Sequence, residues 1–210
     1  MHESTDIVAI SCGVFKPELE FLLAEGRVKF PVRYLDSGLH MKPMLLYQKL
    51  EKMIQDERSQ GHKMLIIYGD CHPYMIDQIT ASDVARVKGL NCCQIFLGKA
   101  LHKRLLLENR AFFLLPEWTE RWRELLITRM GEESMGFDEQ GTVAFMRKIY
   151  TRIIYLDTGV QPVPREKLED CARLFDLPLE VMNIKLEHFF IAIQDAIHKL
   201  QQKQQKGQRR

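Results

Sequence analysis

The sequence predicts an α/β protein: a mostly parallel sheet with helices on both faces, in Rossmann-like layers, with a helical elaboration in the second half. Two observations carry this. Short apolar runs rich in β-branched residues alternate with longer stretches of helical periodicity, and that alternation is the signature of βαβ units. In addition, the chain is 46% hydrophobic and 28% charged over 210 residues, ordinary values for a globular protein with a real core.

The elements follow in order. Asp6 to Ser11 reads as a buried strand with Cys12-Gly13 directly after it, and Lys16-Pro17-Glu18 opens a helix, proline being tolerated in the first turn. Val28 to Leu35 is β-rich, with Pro31 marking it as an edge strand or an irregular one. Met41 to Gln60 reads as a long helix, with Met44, Leu45, Tyr47, Leu50, Met53 and Ile54 on one face. Lys63 to Tyr68 is the clearest strand, broken by Gly69-Asp70-Cys71-His72-Pro73. A weak strand near Val84 to Val87 leads through Gly89-Leu90-Asn91 to Cys92-Cys93.

Helix is predicted over Phe96 to Asn109, a strand over Ala111 to Leu115 ended by Pro116, and helix again over Trp118 to Met130. Gly131 to Gly141 reads as a loop and Arg152 to Leu156 as a strand ending in Asp157-Thr158-Gly159. Pro162 and Pro164 start the helix that holds Cys171, Leu179 to Ile184 is a last strand, and Leu186 to Leu200 is a final amphipathic helix. The expected domain is 1–200, with sub-lobes 1–110 and 111–200. Residues 201–210 carry four positive charges and no apolar residue, which predicts a disordered basic tail.

Composition narrows the function classes. A net charge of +2 is too small to argue for a nucleic-acid partner or a membrane surface, and no apolar run reaches the roughly 18 residues of a spanning helix. The N-terminus carries acids and no apolar signal core. Five scattered cysteines, Cys12, Cys71, Cys92, Cys93 and Cys171, argue against a disulfide framework. The expectation is a cytoplasmic protein with reduced thiols.

Cys12, Cys71 and Cys92 each follow a predicted strand, and His40 follows the second strand in the same way. In open parallel sheets ligands bind outside the carboxyl ends of the strands, so these four residues form a candidate metal set. Thiolates suit zinc or an iron–sulfur cluster, and imidazole suits zinc or iron. His72 and Cys93 are neighbouring alternatives. Gly13, Gly69, Asp157 and Thr158 are candidate cofactor-binding residues at the same rim; Asp157-Thr158-Gly159 equally reads as an Asx-type turn. Taken singly, each cysteine also reads as a small core hydrophobe, and Cys171, among Leu168, Leu174 and Phe175, reads as core. Cys71 beside His72 permits a thiol enzyme. Trp118 and Trp122 read as core or interface. No dinucleotide or P-loop glycine motif occurs.

Several short elements, in order, carry a resemblance: Ser11-Cys12-Gly13; Leu39-His40 with Pro43; Tyr68-Gly69-Asp70-Cys71; Leu90-Asn91-Cys92 with Leu97-Gly98; Leu115-Pro116-Glu117-Trp118; and Asp157-Thr158-Gly159. From Ile7 to about Ile193 the chain resembles the DUF1638 family, a domain of unknown function. Two departures stand out: Leu90-Asn91 replaces a His-Asp pair before the third cysteine, and His72 replaces a glycine after the second. The resemblance implies a cysteine-centred metal-binding protein, set beside corrinoid-dependent methyl transfer, with a corrinoid protein or methyltransferase as partner. It leaves open an enzyme, an accessory factor, or a non-catalytic scaffold.

Overall fold

The computed structural model describes residues 6–71, 81–107 and 109–207. The chain divides into two compact units, one of residues 1–96 with 186–210 and one of residues 97–185. Each has its own all-parallel sheet, where the sequence suggested a single one.

In the first unit β1 (Ile7–Cys12), β2 (Val32–Leu35), β3 (Lys63–Ile67) and β4 (Val84–Arg86) stand in the order β2-β1-β3-β4. Ile7, Val8, Ala9 and Ile10 of β1 and Met64, Leu65, Ile66 and Ile67 of β3 are all buried. Such unbroken apolar runs belong to central parallel strands covered on both faces. β2 is the edge strand that Pro31 foretold, starting just after the proline.

Helix α1 (Lys16–Ala24) follows a 3-10 turn at Gly13–Phe15 and carries Pro17 in its first turn. The next helix does not begin at Met41. A 3-10 stretch, Ser37–Met41, capped by Asp36 accepting from Gly38 N at 2.9 Å, precedes α2 (Pro43–Ser59). Of the expected face, Leu50 and Ile54 are buried and Met53 packs on the same core, whereas Met44 and Leu45 in the first turn are exposed and Leu46 takes the buried place. The Leu46-Leu50-Ile54 stripe packs on Ile10, Met64, Ile66, Tyr68 and Val84, each buried leucine or isoleucine contributing about 1.5–3 kcal/mol. The end of α2 is tied to the sheet by charge. Glu57 accepts from Arg33 Nε and pairs with His62 Nδ1, both at 2.8 Å, and Arg58 grips Asp83 with Nε at 2.5 Å.

Two expected elements shift further on. Helix starts earlier than Phe96, as α3 (Cys92–Leu97), breaks at Gly98 with φ +74°, and resumes as α4 (Lys99–Leu107). At the other end α8 (Glu187–Gly207) runs through much of the segment expected to be a disordered tail. Phe189, Ile193, Ala196 and Leu200 form its buried stripe, and Phe189 closes a ring cluster with Phe15 and Phe96 at 4.9 and 5.0 Å. Lys203 Nζ donates to the carbonyls of Ala81 (2.9 Å) and Val84 (2.7 Å). That tertiary anchoring holds a helix turn that composition alone would leave loose.

The second unit holds β5 (Ala111–Leu114), β6 (Arg152–Asp157) and β7 (Leu179–Asn183), in that order. Between β5 and β6 lie α5 (Pro116–Glu120), a π-helix (Glu124–Met135) and α6 (Glu139–Ile149); α7 (Arg165–Phe175) joins β6 to β7. The loop expected over Gly131 to Gly141 shrinks to 136–138, because Gly131 lies inside the π-helix and Asp138 caps α6 by accepting from Gly141 N at 2.7 Å. Trp122 is buried against Phe175 and Trp118 packs on the same core, so neither is a stacking platform. Cys171 is fully buried there, and burial pushes its thiol up to about 12; it is the core residue the sequence indicated. Among the described residues no helix is long and apolar enough to cross a membrane.

Candidate functional site

The order β2-β1-β3-β4 reverses direction between β1 and β3, and in doubly wound sheets the crevice at that reversal is where ligands bind. Cys12 ends β1 at this point, while Tyr68, Gly69, Asp70 and Cys71 follow β3.

Register defines what faces what. Ile10 pairs with Ile66 and Ile66 with Arg86. Side chains two residues apart on a strand share a face, so Cys12, Tyr68 and Arg86 lie on the α2 side of the sheet at its carboxyl edge. Tyr68 is 2% exposed. Burial first, then the Cys12 and Cys71 thiols beside it, drive its phenol well above the ordinary value.

Gly69 brings the third cysteine in. A Cβ there would meet the Asn91 backbone, with Cα at 2.5 Å and N at 2.8 Å, so only glycine admits this approach. Asn91 then caps α3, its Oδ1 accepting from Gln94 N at 2.8 Å, while Gln94 Oε1 accepts from Leu90 N at 3.0 Å. This is a variant of the capping box, and it launches Cys92 and Cys93 as the first turn of α3. Leu90, just before this cap, is exposed. Gly13 does a parallel job at β1: a Cβ would press on Leu35 O at 3.0 Å.

The thiols crowd one another. Cys92 Sγ lies 4.0 Å from Cys93 Sγ. Burial and the neighbouring Cys92 push Cys71 up to about 12. The Cys93 thiol, then burial, push Cys92 up as well. All five cysteines are thiols with no disulfide, and Cys12, Cys71, Cys92 and Cys93 are half-buried. A nucleophilic cysteine needs a depressed pKa, so Cys71 moves in the wrong direction for a thiol enzyme.

His40 sits in the 3-10 stretch after β2 with Nδ1 2.7 Å from Ser37 O, which places its proton on Nδ1. Burial pulls its pKa down, against that bond and Asp36. A neutral imidazole oriented through Nδ1 by a backbone carbonyl is the usual preparation of a metal-binding histidine. Among the described residues, however, no three or more His, Cys, Asp or Glu side chains stand in metal-ligating geometry. His72 lies outside the described residues. Asp157 and Thr158 belong to the second unit, at the end of its β6; Asp157 Oδ1 accepts from Gly159 N at 2.9 Å, the Asx-type turn.

Tyr68 and Arg86 also stand at this rim: Tyr68 entered the sequence reading only within the Tyr68-Gly69-Asp70-Cys71 element, and Arg86 was not singled out. Tyr68 looked like the last residue of an apolar strand. Arg86 did carry a signal, as the one charge within Val84-Ala85-Arg86-Val87. Its Nη2 donates to Asp70, and its side chain is only 12% exposed. Ser37 Oγ and Arg86 Nη1 are buried with no hydrogen-bond partner among the described residues, whereas the Tyr68 hydroxyl hydrogen-bonds with the Cys12 thiol.

No curated protein and no solved structure matches the chain. Residues 34–191 match the family described as "Protein of unknown function (DUF1638)", and with most of its length covered the chain belongs to the DUF1638 family.

Proposed function

We propose that the carboxyl rim of the first unit's sheet is a thiolate site for a soft metal, zinc or an iron–sulfur cluster, with Cys12, Cys71 and Cys92 as ligands. His40 is the fourth donor and Cys93 the alternate thiol. The observation that carries this reading is the crowding of half-buried thiols at the switch point, with Cys71 pushed up by burial and by Cys92. Thiols whose ionisation is opposed by one another and by burial are the groups a bound cation relieves, since metal binding displaces their protons. The donor set also fits: three soft sulfurs and one imidazole match zinc or iron–sulfur preferences.

A metal bound there would supply Lewis acidity, or electron transfer if a cluster. The chain's own contributions are separable from it. Gly69 admits the loop bearing Cys92, Asn91 starts the helix that presents it, and Ser37 O orients His40. In the methyl-transfer setting that the family resemblance implies, the site acts as an enzyme or accessory factor for a corrinoid protein or methyltransferase.

The test is the metal and acid-labile sulfide content of anaerobically purified protein, with its absorption spectrum. Stoichiometric zinc, or iron with sulfide, is expected in the wild type, with loss in Cys71→Ser. Full occupancy in Cys71→Ser, or no metal after reconstitution, overturns the assignment.

A further inference from the structure

The amino end of β1, opposite the thiol rim, borders a cleft. The loop after α1 and one face of α8 flank it, its volume is about 230 Å³, and every residue that lines it belongs to the first unit. Ile7 at the cleft and Cys12 at the rim are separated by the length of β1, about 16 Å at the usual rise, so the two places are distinct. Ile7, Val28 and Phe30, all buried, form the floor, and half-buried Ile197 closes its apolar side.

The polar groups are of two kinds. Arg27 and Lys29 come from the loop, while Gln194 and Gln201 stand two turns apart on α8 with Ile197 between them. A Schellman motif fixes the loop: Gly26 has φ +66°, its N donates to Leu23 O at 3.0 Å, and Arg27 N donates to Leu22 O at 2.9 Å. The Arg27 guanidinium lies over the Phe190 ring, 4.0 Å from its centroid, a cation–π contact that sets its plane. Glu187 approaches it only to 3.6 Å and is 61% exposed, so that pairing is weak. One carboxylate at such a distance does not occupy the five N–H donors of a guanidinium.

Charge and size select the class. The lining side chains bring two cations, two amides and no carboxylate among the described residues, which favours an anion. The apolar floor suits a compact hydrocarbon body, and desolvating a phosphate dianion over it costs more than desolvating a singly charged carboxylate. The volume is below the roughly 300–1,000 Å³ of drug-sized pockets, so the body is no larger than one ring or a short branched chain.

We propose that this cleft binds a small monocarboxylate with an apolar body. The carboxylate sits on Arg27 and the glutamine amides, and the hydrocarbon lies on Ile7, Val28, Phe30 and Ile197. The site goes beyond the thiolate reading and needs no metal, so each is tested without the other.

The test is a titration of benzoate into the full-length, metal-free chain, read by saturation-transfer NMR. Benzamide serves as the neutral isostere and phenylphosphonate as the tetrahedral anion. Saturable transfer to benzoate is expected, with little to benzamide. Arg27→Gln should weaken benzoate by about tenfold or more, the loss of one charge-assisted hydrogen bond. Ile197→Trp, which fills the cleft from α8 and leaves every charge in place, should abolish binding. Where one variant fails to fold, the other decides. No transfer to benzoate, equal transfer to benzamide, tighter binding of phenylphosphonate, or benzoate binding unchanged in folded Arg27→Gln or Ile197→Trp overturns the site.

Discussion

Cys12 and Tyr68 stand opposite each other across the β1–β3 pair, two residues beyond the Ile10–Ile66 register. The phenol is thereby buried against sulfur, and its hydroxyl hydrogen-bonds with the Cys12 thiol.

Tyr68→Phe should therefore cost about 1 kcal/mol, the net worth of one hydrogen bond. Urea denaturation checks this. A variant as stable as wild type would mean that this bond adds nothing to the fold.

Gly69→Ala sets a Cβ 2.5 Å from the Asn91 Cα. Backbone must yield, so the variant should lose about 1–3 kcal/mol, the usual range for overpacking, and should lose metal together with stability. A variant as stable as wild type would contradict the tight approach of the Cys92 loop.

The Glu57 cluster predicts an acid limb. Burial pushes the Glu57 carboxyl up, but the bonds from Arg33 and His62 outweigh it and the net shift is downward from 4.5. A carboxyl lowered in the folded state adds stability above its unfolded value, which is lost as pH falls through the folded one. Wild type should exceed Glu57→Gln by about 1.5–3 kcal/mol at neutral pH, with the gap closing below pH 4.5. Melting curves across that range give the answer; a gap independent of pH would assign the difference to packing.

In the second unit a Cβ at Gly131 would overlap Thr142 Oγ1, a buried hydroxyl that also donates to Asp138 O at 2.9 Å. Gly131→Ala should cost about 1–3 kcal/mol. Gly131→Ala with Thr142→Ala should lose less than the sum of the two single changes, because the collision is gone. Additive losses in a double-mutant cycle would refute this contact.

Much of this architecture was legible in the sequence. The strands around Ala9, Leu65 and Ile154 announce themselves as apolar runs, and Cys12, Cys71 and Cys92 could be placed at strand ends because glycines and polar residues mark where those runs stop. Strand pairing is another matter. Alternating helices and strands do not say where one sheet closes and a second begins, so β5, β6 and β7 were read into a single layer. The face of α2 was legible from Leu50 to Ile54, but its first turn was not, because Asp36 caps a 3-10 stretch and the helix starts past Met41. That Arg86 stands beside Tyr68 follows from the register between β3 and β4, which no local pattern encodes.

The first unit is assembled from both halves of the sequence, since α8 lies in it while residues 97–185 form the other unit. Synthesis runs from the amino end, so β1 to β4 leave the ribosome with Phe15 and Phe96 lacking Phe189, and with the carbonyls of Ala81 and Val84 lacking Lys203. The contiguous second unit has all its strands before that cover arrives. The later-numbered unit is thus the first whose segments are complete, and the first unit waits for its last helix.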